Sequence, residues 1–348
     1  MSILVDTFPG RILTLENEEY LYFGGTSYLG VQTDDTFQDL VVRSIKKYGS
    51  NYGASRNSNV RFSLYNKAED HLADWVGSEA CVTMSSGYLA GQLVSSYFNT
   101  KRYKLFYAPN SHSALFQTNT KPYATYTSLN IALREHLDQR KKEIPVVFID
   151  SIDFSGCNYP SFDILKSLPL ESCILIVDDS HGIGVVGDEG AGVFKLLAAT
   201  LCKDLVLCAS LGKAMGLQAG AIFGSKNTMA QLMETDFFGG ASPAAPFFMA
   251  TMLEANSLYE SKRLLLQKNI TSFLKTLKNP GLLNFMPQYP VFGYSNPRLT
   301  QHLKQHHILV TDFPYPTEDS FATSRIVLSA AHTIEDIETI TTALNSFK

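Results

Sequence analysis

The chain has 348 residues, of which 45% are hydrophobic and 18% charged, and this apolar fraction excludes a disordered or low-complexity protein. The 29 Lys and Arg residues against 33 Asp and Glu residues give a net charge of -4, so a nucleic-acid partner is not expected. The length predicts two folded domains.

The five cysteines are scattered and form no CxxC pair, which argues against a disulfide framework or a zinc site. His302 and His306 lie at helical spacing, but no carboxylate accompanies them, so no metal site is expected. No apolar run approaches the ~18 residues of a membrane span, and residues 1–10 do not match a signal peptide. Together these features predict a cytoplasmic protein.

The first predicted element is a hairpin over Ile12–Phe23 with its turn around Asn17–Glu19. Residues 1–44 are predicted to form this hairpin and an arm that packs with the C-terminal part of the chain.

Residues 45–226 alternate short apolar runs with helical patterns and predict a large α/β domain. The predicted strands are Ala80–Met84, Leu105–Tyr107, Val146–Ile149, Ile174–Val177, Leu205–Cys208 and Ala221–Phe223. A helix over Tyr88–Phe98 follows the first of them. Several strands are apolar on both faces, which is typical of parallel strands covered by helices on both sides.

Residues 227–348 are predicted to form a long connecting helix and a smaller α+β domain. The helical pattern runs over Pro246–Leu277, and a strand over Arg325–Leu328 follows later. The last predicted helix spans Thr333–Ser346, where Thr333 and Asp336 form an N-terminal cap and an acidic first turn.

Three polar segments stand at the carboxyl ends of predicted strands, where open α/β sheets form their ligand crevices. The first is Ser85–Tyr88, between a strand and a helix. Backbone amides at a helix start, with the hydroxyl of Ser86, suit a phosphate group. An ordinary helix cap is the alternative interpretation.

The second segment follows the strand Ile174–Val177 and contains Asp178 and His181, which can face one ligand or serve only as turn residues. The third contains Lys213, which lies among small and apolar residues between Gly212 and Gly216. Removal from water lowers the pKa of a lysine and makes it a nucleophile or base. A lysine that reaches back to solvent is the alternative.

Taken together, the three segments match what pyridoxal 5'-phosphate (PLP) requires. A helix start anchors the phosphate, Asp178 pairs with the pyridine nitrogen, and Lys213 forms a Schiff base with the aldehyde. A competing pattern is the GxGxxG run Gly182–Gly187 with Asp204 beyond it, which would favour a nicotinamide-dependent dehydrogenase. No helix is predicted to open within those glycines, and Asp204 precedes its strand, so the sequence disfavours this alternative.

The ordered motifs resemble the α-oxoamine synthases, a family of PLP-dependent enzymes of fold type I. The shared motifs are Tyr22–Gly30, Tyr48–Arg56, Ser85–Tyr88, Asn110–Ser113, Asp178–Gly182, Ser210–Ala214 and Ala330–Thr333. The resemblance covers nearly the whole chain. It implies a mostly parallel, seven-stranded type of sheet, a smaller α+β C-terminal domain and a homodimer with active sites at the subunit interface.

The resemblance also implies roles for individual residues. The implied cofactor-binding and catalytic residues are Ser86, Gly87, Tyr88, His112, Asp178, His181, Ser210 and Lys213. Within that set, His112 stacks on the pyridine face and His181 meets the phenolic oxygen. Arg325, with His112, is implied to bind the substrate carboxylate.

The family's reaction joins a small amino acid to an acyl thioester with loss of CO2, and the resemblance implies this activity here. Several positions depart from the family pattern, among them Thr26–Ser27, Tyr65, Ser155 and the loop 313–317. The N-terminal helical segment that precedes Gly10–Arg11 in many members is not expected here. These departures affect the acyl substrate more than the cofactor. An aminotransferase on the same fold and a non-catalytic relative therefore remain as alternatives.

Overall fold

A computed structural model describes residues 3–116, 121–139, 141–154, 156–313 and 324–348. The strands are β1 Ile12–Leu15, β2 Glu18–Phe23, β3 Ala80–Met84, β4 Tyr103–Tyr107, β5 Ile144–Asp150, β6 Ile174–Asp178, β7 Asp204–Ser210, β8 Gly220–Gly224, β9 Asn284–Phe285, β10 Val291–Tyr294, β11 Ile308–Val310 and β12 Ser324–Val327. The α-helices are α1 Asp35–Tyr48, α2 Ser63–Val76, α3 Gly87–Phe98, α4 Tyr126–Asp138, α5 Phe194–Leu197, α6 Lys226–Met233, α7 Asp236–Gly240, α8 Pro246–Glu254, α9 Asn256–Thr276, α10 Pro297–Gln305 and α11 Ile334–Ser346.

The chain divides into two compact units. The larger unit comprises Asp39–Lys213 and Leu217–Asn256, and the smaller unit comprises Met1–Gln38, Ala214–Gly216 and Ser257–Lys348.

The larger unit is built on one sheet with the strand order β3-β8-β7-β6-β5-β4. Strands β4 to β7 are parallel to one another, and β8 is antiparallel to both of its neighbours. All six predicted strands are present, and the predicted α/β class with a mostly parallel sheet is confirmed. The described residues give this sheet six strands, one fewer than the seven-stranded type implied by the resemblance.

Apolar side chains from the strands and from α3 form the core of the larger unit. Val82, Phe148, Ile176 and Ile222 belong to one buried cluster with Leu93 of α3. Strands buried on both faces explain the continuous apolar runs in the sequence. Because this core fixes the strands, it also fixes the polar residues at their carboxyl ends.

A buried ion pair ties the segment before α2 to α2 and β3. The two terminal nitrogens of Arg56 each donate to one carboxylate oxygen of Glu69 at 2.8 Å. Glu69 also accepts hydrogen bonds from the backbone N–H and the hydroxyl of Thr83, both at 2.7 Å. The ring of Tyr65, which stands near the position of a family histidine, lies 4.2 Å from the Arg56 guanidinium. Both oxygens of the buried Glu69 carboxylate therefore have hydrogen-bond donors, and the buried guanidinium has a counter-charge.

The smaller unit contains the predicted hairpin, β1 and β2, which pair antiparallel. Glu16 and Asn17 form its turn with φ values of 50° and 69°, the left-handed conformation that suits tight hairpins. Strand β11 pairs parallel with β2, so the hairpin and β11 share one sheet. A second sheet has the order β12-β10-β9.

The single helix predicted over Pro246–Leu277 is wrong, because the structure has two helices, α8 and α9, at this place. Ala255 separates them with φ -96° and ψ 8°, and its N–H donates to Met252 rather than continuing the α-helical pattern. The division between the two units falls immediately after this break, between Asn256 and Ser257. None of the helices in the described ranges is long and apolar enough to cross a membrane.

Candidate active site

Lys213 lies just past the end of β7 and contacts His181, which follows β6. The Lys213 Nζ is 2.9 Å from the His181 Nε2. Removal from water lowers the pKa of Lys213, while the nearby Asp178 and Asp150 carboxylates act in the opposite direction. A lysine with a lowered pKa has the nucleophilic, basic character predicted from its sequence context.

Asp178 is the last residue of β6 and is 9% exposed. Its carboxylate accepts a hydrogen bond from the N–H of Ser180 at 2.9 Å. The Ser180 hydroxyl in turn accepts one from the N–H of Ser210, the last residue of β7, at 2.9 Å. These two bonds join the ends of neighbouring strands and fix Asp178 beside the lysine-bearing turn.

Asp179 is fully buried and lies among the glycines of the GxGxxG run. It accepts hydrogen bonds from the Ser151 hydroxyl and the Val193 N–H. A Cβ atom at Gly182 or at Gly192 would stand only 2.0 Å from its carboxylate. These glycines make room for a buried aspartate, and residues 182–187 form turns instead of opening a helix. The dinucleotide-binding alternative therefore fails, as the sequence indicated.

His112 follows β4 and is held by backbone contacts on two sides. Its N–H donates to the Asp150 carboxylate at 3.0 Å, and its Nδ1 accepts from the N–H of Ala114 at 3.1 Å. The second bond places the ring proton of a neutral imidazole on Nε2. Removal from water lowers the pKa of His112, which favours this neutral form.

Asp150, at the end of β5, was not identified from the sequence. It is the register partner of Asp178 in the neighbouring strand. The signal that could have revealed it is a lone carboxylate directly after the apolar run Val146–Ile149, the same pattern that singled out Asp178.

The start of α3 approaches the end of β7 closely. A Cβ atom added to Gly87 would lie 2.4 Å from the Ser210 Cβ. The Ser86 hydroxyl caps the helix by accepting from the Leu89 N–H at 3.1 Å, and Tyr88 is exposed. The Ser86 hydroxyl therefore caps α3, and the first N–H groups of the helix remain able to receive an anion.

The other sequence-predicted positions lie elsewhere or cannot be described. Arg325 lies on β12 in the smaller unit, where its N–H donates to the Thr311 carbonyl at 2.8 Å. Phe154 adopts φ 53° and its ring meets that of His181 edge-on at 4.9 Å. Ser155 and residues 314–317 lie outside the described residues.

The larger unit therefore carries a lysine, two carboxylates, two imidazoles and a helix start at one edge of a mostly parallel sheet. This donor set fits PLP: an amine for the aldehyde, a carboxylate for the ring nitrogen and helix amides for the phosphate. Sheet and site together define a PLP-dependent enzyme of fold type I. Residues 22–344 match the family described as aminotransferase class I and II, and the chain belongs to that family.

Individual relatives give a finer comparison. The 8-amino-7-oxononanoate synthase of Thermosipho melanesiensis is 27% identical over 94% of this chain and 88% of its own length. A serine palmitoyltransferase from S. paucimobilis, described with bound PLP, superposes with a TM-score of 0.81 at 18% identity, covering 99% of this chain and 92% of that one. An 8-amino-7-oxononanoate synthase from Francisella tularensis gives 0.71 at 20% identity over 94% and 97% of the two chains. These relatives confirm the resemblance to the α-oxoamine synthases.

Proposed function

We propose that this protein is a PLP-dependent acyltransferase that condenses a small amino acid with an acyl thioester and releases CO2. The amino acid is alanine, glycine or serine, and the thioester is carried by coenzyme A or acyl-carrier protein. The observation that carries the proposal is the contact of Lys213 with His181 beside Asp178 at the carboxyl edge of the sheet. The near full-length relatives support a reaction like that of the 8-amino-7-oxononanoate synthases of biotin biosynthesis.

The residues that would hold PLP lie within the larger unit. Lys213 would bind the aldehyde, Asp178 the ring nitrogen and His181 the phenolic oxygen. His112 would cover the ring face. The phosphate would be bound by residues from two elements, namely Ser86, Gly87 and Tyr88 of the α3 start and Ser210 of β7.

When bound, PLP draws electrons from the α-carbon of an attached amino acid. The protein's part is to move protons and to hold charges. Lys213 would take a proton from the α-carbon and return it, because its lowered pKa gives it a larger neutral fraction. Asp178 would hold the proton on the ring nitrogen by a charge-assisted hydrogen bond. Arg325 would bind the amino-acid carboxylate, and a homodimer would complete the site.

The test is a condensation assay with labelled carboxyl groups. PLP-loaded protein is mixed with carboxyl-labelled alanine, glycine or serine and with pimeloyl-CoA or palmitoyl-CoA, and Lys213→Ala serves as the inactive control. We expect labelled CO2 and an aminoketone in equal amounts, and only when a thioester is present. Conversion to a keto acid and pyridoxamine phosphate would instead identify an aminotransferase, and an inert protein would contradict the proposal.

A further inference from the structure

Asp150 lies where the strand ends meet but has no part in the roles derived so far. It ends β5 directly beside Asp178 of β6. Its carboxylate accepts the His112 N–H at 3.0 Å, and its carbonyl oxygen accepts the Asn158 side-chain amide at 2.6 Å. Asp150 thus links two residues of the site, Asp178 through the strand register and His112 through a direct hydrogen bond.

The link to His112 acts on the orientation of the imidazole. The ring is already fixed at Nδ1 by Ala114, two residues further along the chain. Asp150 fixes the main chain at residue 112 itself. With both ends of this short segment held, the ring has a defined plane and a defined tautomer, which is what stacking on a flat ligand requires.

The link to Asp178 concerns charge. Three titratable groups act on the Asp150 carboxylate, namely Asp178, Lys213 and Asp153, together with the backbone N–H of His112. Removal from water and the neighbouring Asp178 both raise the pKa of Asp150 well above its usual range, while the His112 N–H and Lys213 act against them. Because the carboxylate of Asp178 stands beside it at a site partly removed from water, Asp150 is the carboxyl group whose charged form is disfavoured.

We propose that Asp150 is a positioning residue with two effects. It holds the main chain of His112 through a hydrogen bond. It is also the uncharged member of the Asp150–Asp178 pair, so that Asp178 is the carboxylate that meets the ring nitrogen. The inference rests on the proposed PLP site but not on the identity of the acyl substrate. It explains why two acidic residues stand side by side where PLP needs a single negative charge.

The first test needs no turnover. Carboxyl-carbon NMR of the full chain labelled in aspartate, titrated with and without PLP, reports the protonation of each carboxyl group. The Asp150 signal is identified by its loss in Asp150→Asn. We expect a protonated Asp150 at neutral pH, whereas an ionised Asp150 with an ordinary titration would overturn the charge assignment.

The second test measures exchange of the α-proton of an amino acid with solvent deuterium, without any thioester. Asp150→Asn keeps an uncharged acceptor for His112, so its exchange rate should stay within about threefold of wild type, whereas Asp150→Ala should lose about tenfold or more. In the His112→Ala background, Asp150→Ala should add little to the loss of exchange rate, because both changes act on the same imidazole.

Equal losses of exchange rate in Asp150→Asn and Asp178→Asn, or additive losses in the Asp150→Ala, His112→Ala double variant, would overturn the proposal. Failure of the proposed condensation appears separately, as missing aminoketone in a wild-type protein that still exchanges the proton.

Discussion

Three aspartates at one sheet edge show how surroundings decide what a residue does. Asp178 points into the site, Asp150 supports His112, and Asp179 is buried among glycines. All three have the same side chain, but each has different hydrogen-bond donors and a different environment. Only Asp178 was predicted from the sequence. The contacts of Asp150 with His112 and of Asp179 with Ser151 join segments that lie far apart along the chain.

The role of Asp178 leads to a prediction for Asp178→Asn. An amide cannot hold the proton on the ring nitrogen, so this variant should still bind PLP but lose most exchange of the α-proton. Solvent deuterium incorporation into alanine, followed by mass spectrometry, measures the effect. Asp163→Asn, at an exposed pair with Lys166, is the matched control and should exchange normally. Wild-type exchange in Asp178→Asn would remove this residue from the cofactor site.

Asp179 yields a prediction about pH and stability. Burial raises its pKa from the usual value to about 7. A carboxyl whose folded-state pKa is raised contributes stability below the unfolded-state pKa of about 3.9, and this contribution is lost as pH rises toward the folded-state pKa. The free energy of unfolding of wild type, relative to Asp179→Asn, should therefore fall between about pH 4 and pH 7. Urea unfolding across this range measures it, and a difference that is constant or rises with pH would contradict the assignment.

At the scale of elements, the site depends on how closely a helix start approaches a strand end. The contact between Gly87 of α3 and Ser210 of β7 leaves no room for a methyl group. The turn after the first predicted strand indicated a phosphate site at Gly87, and the family resemblance implied that Ser210 lies near the same phosphate. The distance between them could not be predicted, since it depends on how α3 packs over β7 and β8.

Gly87→Ala should therefore weaken PLP binding by about tenfold or more, because the added Cβ displaces the α3 start from Ser210. Titration with PLP, followed by absorbance, measures the dissociation constant. Gly240→Ala is the matched control, since a Cβ there meets nothing within 4 Å and Gly240 lies in helix α7. Equal affinity in the two variants would show that the α3 start does not hold the phosphate.

The ion pair of Arg56 and Glu69 links α2 to β3 and gives a second prediction at this scale. Removing the guanidinium leaves a buried carboxylate without its counter-charge, which costs about 3–5 kcal/mol. Arg56→Met should therefore lower the free energy of unfolding by this amount in urea. Lys166→Met, at the exposed pair with Asp163, should change it by less than about 1 kcal/mol. Similar values for both variants would mean that the buried pair contributes no more than a surface pair.

At the scale of the whole molecule, the order of strands and helices was largely predictable, because buried parallel strands leave continuous apolar runs in the sequence. The break at Ala255 was not predictable, since neither proline nor glycine marks it and the apolar pattern continues across it. The site was predictable where a polar residue directly follows a predicted strand. Asp150 fits this pattern as well but was not identified, and its pairing with Asp178 in the neighbouring strand is visible only in the structure.

Chemical reduction tests most directly whether this sheet edge binds PLP through Lys213. The protein is loaded with PLP, treated with borohydride, and then measured as intact protein and as mapped peptides. We expect one pyridoxyl group per chain, located on Lys213, and no label on a folded Lys213→Ala variant. A pyridoxyl group on any other lysine, or a wild-type chain that takes up none, would contradict the account.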